Sequence, residues 1–152
     1  MIYLLFLGLV LAHGSELSDA EALHELAFQQ YDEGQFDEAK ATMLHSVALF
    51  RAREGDRPLM LASALTNLAG MLQATGNYEA AMELVDEGLD IRREHLPESH
   101  SAITHSLIAK ASMLQSMGDF ASALPRFREA LAMRRALYGG EHATVAEAMN
   151  NV

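Results

Sequence analysis

The sequence predicts an all-α fold, an α-solenoid of about three stacked helix-turn-helix units plus a partial fourth. Three observations predict it. Gly34, Gly76 and Gly118 recur at an interval of 42 residues, each followed two positions later by an aromatic (Phe36, Tyr78, Phe120) and five positions later by alanine (Ala39, Ala81, Ala123). The same interval aligns Leu23, Leu65 and Leu107 upstream of the glycines, and with them Ala27, Ala69 and Ala111. Apolar residues at i, i+3, i+4 and i+7, as in Leu65, Leu68, Ala69 and Leu72, form the stripe of an amphipathic helix. A unit of this size cannot bury its apolar face alone, so repetition implies stacking around a continuous core.

The elements follow in order. Seven helices are expected, over residues 18–32 and 36–53, 59–75 and 78–95, 100–117 and 120–138, with a last one starting near Ala143. Ser18 and Glu21 have the spacing of a capping box at the start of the first. Each repeated glycine sits just past a helix end, where a left-handed conformation closes the final turn. Asn77 and Asp119 then offer side-chain oxygens to the orphan amides of the following helix, as Gln35 does less well. The aromatic opens that helix, and the alanine three positions later lets two helices approach closely. Arg51 and Arg53, Arg92 and Arg93, and Arg134 and Arg135 fall near the ends of second helices, where cations favour the negative end of the macrodipole. Pro125 is expected to bend its helix mildly. The organisation is therefore a leader at 1–14, repeat units at 18–58, 59–99 and 100–142, and the first part of a further helix at 143–152.

This pattern of large residue, small residue, glycine before an aromatic, then alanine resembles the tetratricopeptide repeat over about residues 20 to 152. The interval of 42 is similar to the longer variety found in kinesin light chains. "LDIRREHLPESHSAI" and "LAMRRALYGGEHATVA" resemble that variety's "LxIRxxxLGxxHPxVA" junction, with His100 and His142 in the histidine place and Ser101 and Ala143 where it has proline. "ALTNLAGML" and "AMNNV" resemble its "LNNLA" helix, whereas the first junction, "FRAREGDRPLMLA", departs furthest. The resemblance implies a right-handed α-solenoid that binds proteins or peptides on a concave groove lined by the first helix of each unit. Carried over by position, the contacting residues are Phe28 and Tyr31, then Thr66, Asn67 and Gln73, then His105, Ser112 and Gln115. Phe28 and Tyr31 are the expected aromatic anchors. About half of these positions are expected to pack between repeats instead.

Charge narrows the partner. The chain carries a formal charge of −10, and residues 1–98 hold six basic and seventeen acidic residues. Nucleic acid is disfavoured, because an acidic surface repels phosphate. The acidic first half favours a neutral or basic partner, so the preference of kinesin light chains for acidic peptides is not carried over. The run Ile2–Ala12, "IYLLFLGLVLA", is too short to span a membrane and has the form of a secretory h-region, with no Lys or Arg before it. Export to the periplasm or outside the cell follows if it is a signal peptide, and a cytoplasmic location otherwise. An apolar helix packed on the first unit and a chain start cut from a longer protein are the alternative readings. The absence of cysteine excludes disulfides and thiolate metal sites.

No catalytic constellation is legible. His95, His100 and His105 are spaced by five across a helix end, a turn and a helix start, which does not gather three nitrogens around one metal. There is no nucleophile elbow, phosphate loop, HExxH or dinucleotide fingerprint. No cofactor, metal or enzymatic activity is expected. The leading expectation is a non-enzymatic interaction scaffold. Two alternatives stand beside it: a regulatory or sensor segment of a longer multidomain protein whose catalytic part lies elsewhere, and a self-assembling structural element associating through its C-terminal end.

Overall fold

Six helices account for nearly all of the described chain, and no strand occurs among the described residues. The structure, a computed structural model, describes residues 18–53 and 55–138. Helix α1 occupies residues 18–32, and α2 (Phe36–Ala52), α3 (Pro58–Ala74), α4 (Tyr78–His95), α5 (Ser101–Ser116) and α6 (Phe120–Tyr138) follow. The leader at 1–14, His142 and the helix expected from Ala143 lie outside the described residues. No described helix is long and apolar enough to cross a membrane.

The three repeated glycines do what their spacing predicts. Gly34, Gly76 and Gly118 have φ of 80°, 79° and 82°. A Cβ added at any of them would meet nothing within 4 Å, so the need for glycine is conformational rather than one of space. Each closes its helix with the same pair of backbone bonds. Gly34 N–H donates to Tyr31 O and Gln35 N–H to Gln30 O; Gly76 and Asn77 donate to Gln73 and Leu72; Gly118 and Asp119 donate to Gln115 and Leu114. This is a Schellman closure repeated three times, and it leaves the following residue placed to start the next helix.

Helix starts depart from expectation at Asn77, Ser18 and His100. Asp119 Oδ1 accepts from Ser122 N–H at 3.1 Å, as a capping carboxylate should. Asn77 and Gln35 occupy the equivalent position without a side-chain cap hydrogen bond. Ser18 is already helical, so it is not the cap of α1, and Glu21 pairs instead with Arg57 at 2.9 Å. An unforeseen cap is His100, whose Nδ1 accepts from Ala102 N–H at 3.1 Å and starts α5. Helix α6 continues through Pro125, which sits on its exposed side.

The chain divides into two compact units, residues 1–64 and 65–152, the boundary falling inside α3. In the first, Ala20, Ala27, Ala39, Met43, Val47 and Phe50 form the buried interior. Ser46 Oγ donates to Ala20 O at 2.7 Å, tying α2 to α1 without a buried orphan hydroxyl. In the second, α5 packs against both α4 and α6. Ala69, Ala81, Val85 and Met113 make one cluster, Leu89, Ile103, Leu107 and Ala130 another, and Ala111, Ala123 and Phe127 a third. The repeated alanines are thus the contact points where backbones come closest, as their size requires.

Candidate functional site

The first helices of the units carry the expected contact residues, and their surroundings sort them. On α1, Phe28 is 39% exposed. Its ring meets His24 edge-on, with centroids 5.2 Å apart. Tyr31 is half-buried, and its ring packs edge-on against Phe36 at 5.1 Å. Phe28 is therefore the more exposed of the two rings, while Tyr31 packs on the residue that opens α2.

In the unit from Leu65 onward, α3 supplies Thr66, Asn67 and Gln73, all half-buried. Helix α5 supplies half-buried Ser112 and exposed His105 and Gln115. A residue not foreseen in a site role joins these two helices. Arg92 of α4 is only 7% exposed, and its Nη1 donates to Thr66 Oγ1 at 2.7 Å and to Ser106 Oγ at 2.5 Å. Its cation does not simply face the end of its own helix. It lies across the seam between α3 and α5, and burial lowers its pKa from the usual guanidinium range. Ser106 Oγ in turn donates to Ala102 O, so this hydroxyl is satisfied in both roles. Arg134 lies 42 residues further on and is also buried. The signal in the sequence was the recurrence of arginine at one repeat position, which charge counting alone assigned to the helix dipole.

Around this seam the electrostatics differ from those of the chain as a whole. Residues 65–74 of α3 and all of α5 contain no carboxylate. Lys110 of α5 pairs with Asp86 of α4. The pKa of His105 is lowered, first by burial and then by the Arg134 and Arg92 cations. That of His24 is lowered by burial, partly offset by the Glu25 carboxylate. Both folded-state values lie below the ordinary histidine value of 6.5, so the folded chain resists binding these protons. The stability they contribute is present above that value and is lost as pH falls through the folded values. Thermal unfolding followed from pH 7.5 to 5 is expected to show a steeper loss for the wild type than for a His24→Gln/His105→Gln variant. Equal slopes would assign the pH dependence to the carboxylates.

No group of three or more His, Asp or Glu side chains that could hold a metal ion occurs among the described residues. His95 Nδ1 is engaged with Ile91 O and His100 Nδ1 with Ala102 N–H, each within its own local structure.

The sequence profile described as "tetratricopeptide repeat" matches residues 3–94 and 101–152. Among solved structures, a provisionally named kinesin light chain of P. anserina with nearly identical TPR-like repeats is similar at a TM-score of 0.74 and 23% identity, covering 87% of this chain and 63% of its own. BtubC (BKLC) from P. vanneervenii is similar at a TM-score of 0.70 and 23% identity, covering 91% and 62% respectively. PcrH, solved in complex with the chaperone binding region of PopB, is similar at a TM-score of 0.67 and 24% identity, covering 89% and 95%. This chain thus spans about three fifths of the first two. No curated protein matches the sequence.

Proposed function

Since the chain belongs to the tetratricopeptide repeat family, in its long-repeat variety like that of kinesin light chains, we propose that it is a non-enzymatic interaction module that captures a protein or peptide on its first helices. The observation that carries this reading is the make-up of α3 and α5. Asn67, Gln73, Ser112 and Gln115 offer uncharged donors and acceptors, suited to the main chain of an extended segment, on helices held by packing and by Arg92. In the first unit taken by itself, Phe28 on α1 is an exposed ring of the kind that dominates such contacts. The acidic character of α1 favours a neutral or basic partner. PcrH, which shares the fold, was solved with a segment of another protein bound, and this supports the same use here.

The test is selection of binding peptides from a random display library on the full chain, followed by affinity measurement. Asn67→Ala and Gln115→Ala are each expected to weaken the selected peptide about tenfold, with helicity by circular dichroism unchanged. Undiminished affinity in both variants would place the binding surface elsewhere.

A further inference from the structure

We propose that Arg92 is a positioning residue for the binding face of α3 and α5: its hydrogen bonds fix one helix against the other, with no gain in stability over an apolar side chain in the same place. Its consequence for binding rests on the peptide-capture reading, and its consequence for helix order does not. Arg92 is carried by α4, yet a single nitrogen, Nη1, donates to Thr66 Oγ1 on α3 at 2.7 Å and to Ser106 Oγ on α5 at 2.5 Å. Helices α3, α4 and α5 are thus tied at one point. Asn67 directly follows Thr66, and Ser112 lies six residues past Ser106, so the tie sits beside the uncharged groups offered to a partner.

Burial at this position does not require a cation. The repeat interval of 42 carries Arg92 back to Phe50, which is 2% exposed within the first unit, so an aromatic ring fills the place there. The same step carries Thr66 to His24 and Ser106 to Ala64; the forward step carries Arg92 to Arg134, Thr66 to Ile108 and Ser106 to Ala148. Arginine and both hydroxyls therefore coincide only around Arg92. What the polar set adds is direction. Apolar attraction is non-directional, whereas hydrogen bonds weaken steeply away from their preferred geometry.

The charge of Arg92 leads to the same conclusion. It takes part in no ion pair among the described residues. Two neutral hydroxyls answer its burial, and residues 65–74 of α3 and all of α5 hold no carboxylate. Withdrawing a guanidinium from water is costly, and an apolar replacement of similar volume is often neutral or stabilising. Ser106 Oγ would keep a partner after such a replacement, since it donates to Ala102 O. An arginine that adds order without stability preorganises the face, so less freedom is lost when a partner binds.

Arg92→Met in the full chain tests this. The sequence has no cysteine, so Ala74→Cys and Ser116→Cys, exposed positions in the last turns of α3 and α5, can carry a pair of spin labels. They lie eight and ten residues beyond the tie, about 12 and 15 Å along their axes, where rocking about it is magnified. Pulsed EPR is expected to give a narrow distribution of label separations with Arg92 and a clearly broader one with Arg92→Met. The urea midpoint of Arg92→Met should equal or exceed that of the wild type, while a peptide selected on the wild type binds about tenfold more weakly. Thr66→Val/Ser106→Ala, which strands the guanidinium, should lower the midpoint; adding Arg92→Met should restore it without narrowing the distribution. A midpoint clearly lowered by Arg92→Met alone would make Arg92 an ordinary stabilising residue and overturn the proposal. An unchanged distribution or an unchanged peptide affinity would do the same. If the wild type selects no peptide, the capture reading fails by itself, and the midpoints and label separations still decide the role of Arg92.

Discussion

Leu107→Ala is expected to destabilise the chain by about 3 kcal/mol, within the range of about 2 to 5 kcal/mol for burying a cavity where a leucine stood. Leu107 has no exposed surface and packs with Leu89, Ile103 and Ala130. These neighbours come from α4, α5 and α6, so the hole cannot close by a side-chain adjustment in one helix. It would require α5 to move against both flanking helices, which are fixed by the Ala111 and Ala123 contacts on one side and by Arg92 on the other. Urea unfolding monitored by circular dichroism should show a lower midpoint with an unchanged slope, the mark of lost stability rather than an altered unfolded state. A loss below about 1 kcal/mol would mean that the cluster collapses readily and that α5 is less constrained than its contacts imply.

Ala81→Leu carries the second large expectation, a loss of about 1 to 3 kcal/mol from overpacking. Ala81 is fully buried in a cluster with Ala69, Val85 and Met113, which leaves a larger side chain nowhere to go without displacing them. Ala41→Leu on the exposed side of α2 is the control, expected to change stability by no more than about 0.5 kcal/mol, since its added surface remains in water. Matching effects at the two positions would remove the argument that the repeated alanine is a closest-approach residue.

Both expectations rest on positions legible in the sequence, and the reason is local. The glycine, the residue after it, the aromatic and the alanine act within one turn and the start of one helix, so their spacing reports geometry directly. Helix order and bounds follow, and the six described helices lie within about two residues of their expected limits. Side chains that act across helices were harder to read. Arg92 looked like a dipole partner, because nothing in its neighbours along the chain reveals the hydroxyls of Thr66 and Ser106, which lie 26 and 14 residues away. The spacing of His100 argued only against a shared metal and did not show that it is the cap of α5. Tyr31 looked like an anchor as good as Phe28, until the fold directed its ring onto Phe36. The capping oxygen expected of Asn77 makes no such bond, although Asp119 caps α6 at the equivalent place.

The backbone closure at the repeated glycines has a kinetic consequence. Each of the three glycine turns is sealed by bonds spanning three and five residues, Gly76 to Gln73 and Asn77 to Leu72 among them. None of these bonds waits for a distant segment, so the search for each turn involves only a short stretch of chain. Contacts this local favour rapid formation, on a timescale set by loop closure and helix growth rather than by assembly of the whole. During synthesis each hairpin of helices can therefore form soon after it emerges, before the following one exists, and the leucine and alanine faces it presents are ready to receive the next hairpin in order.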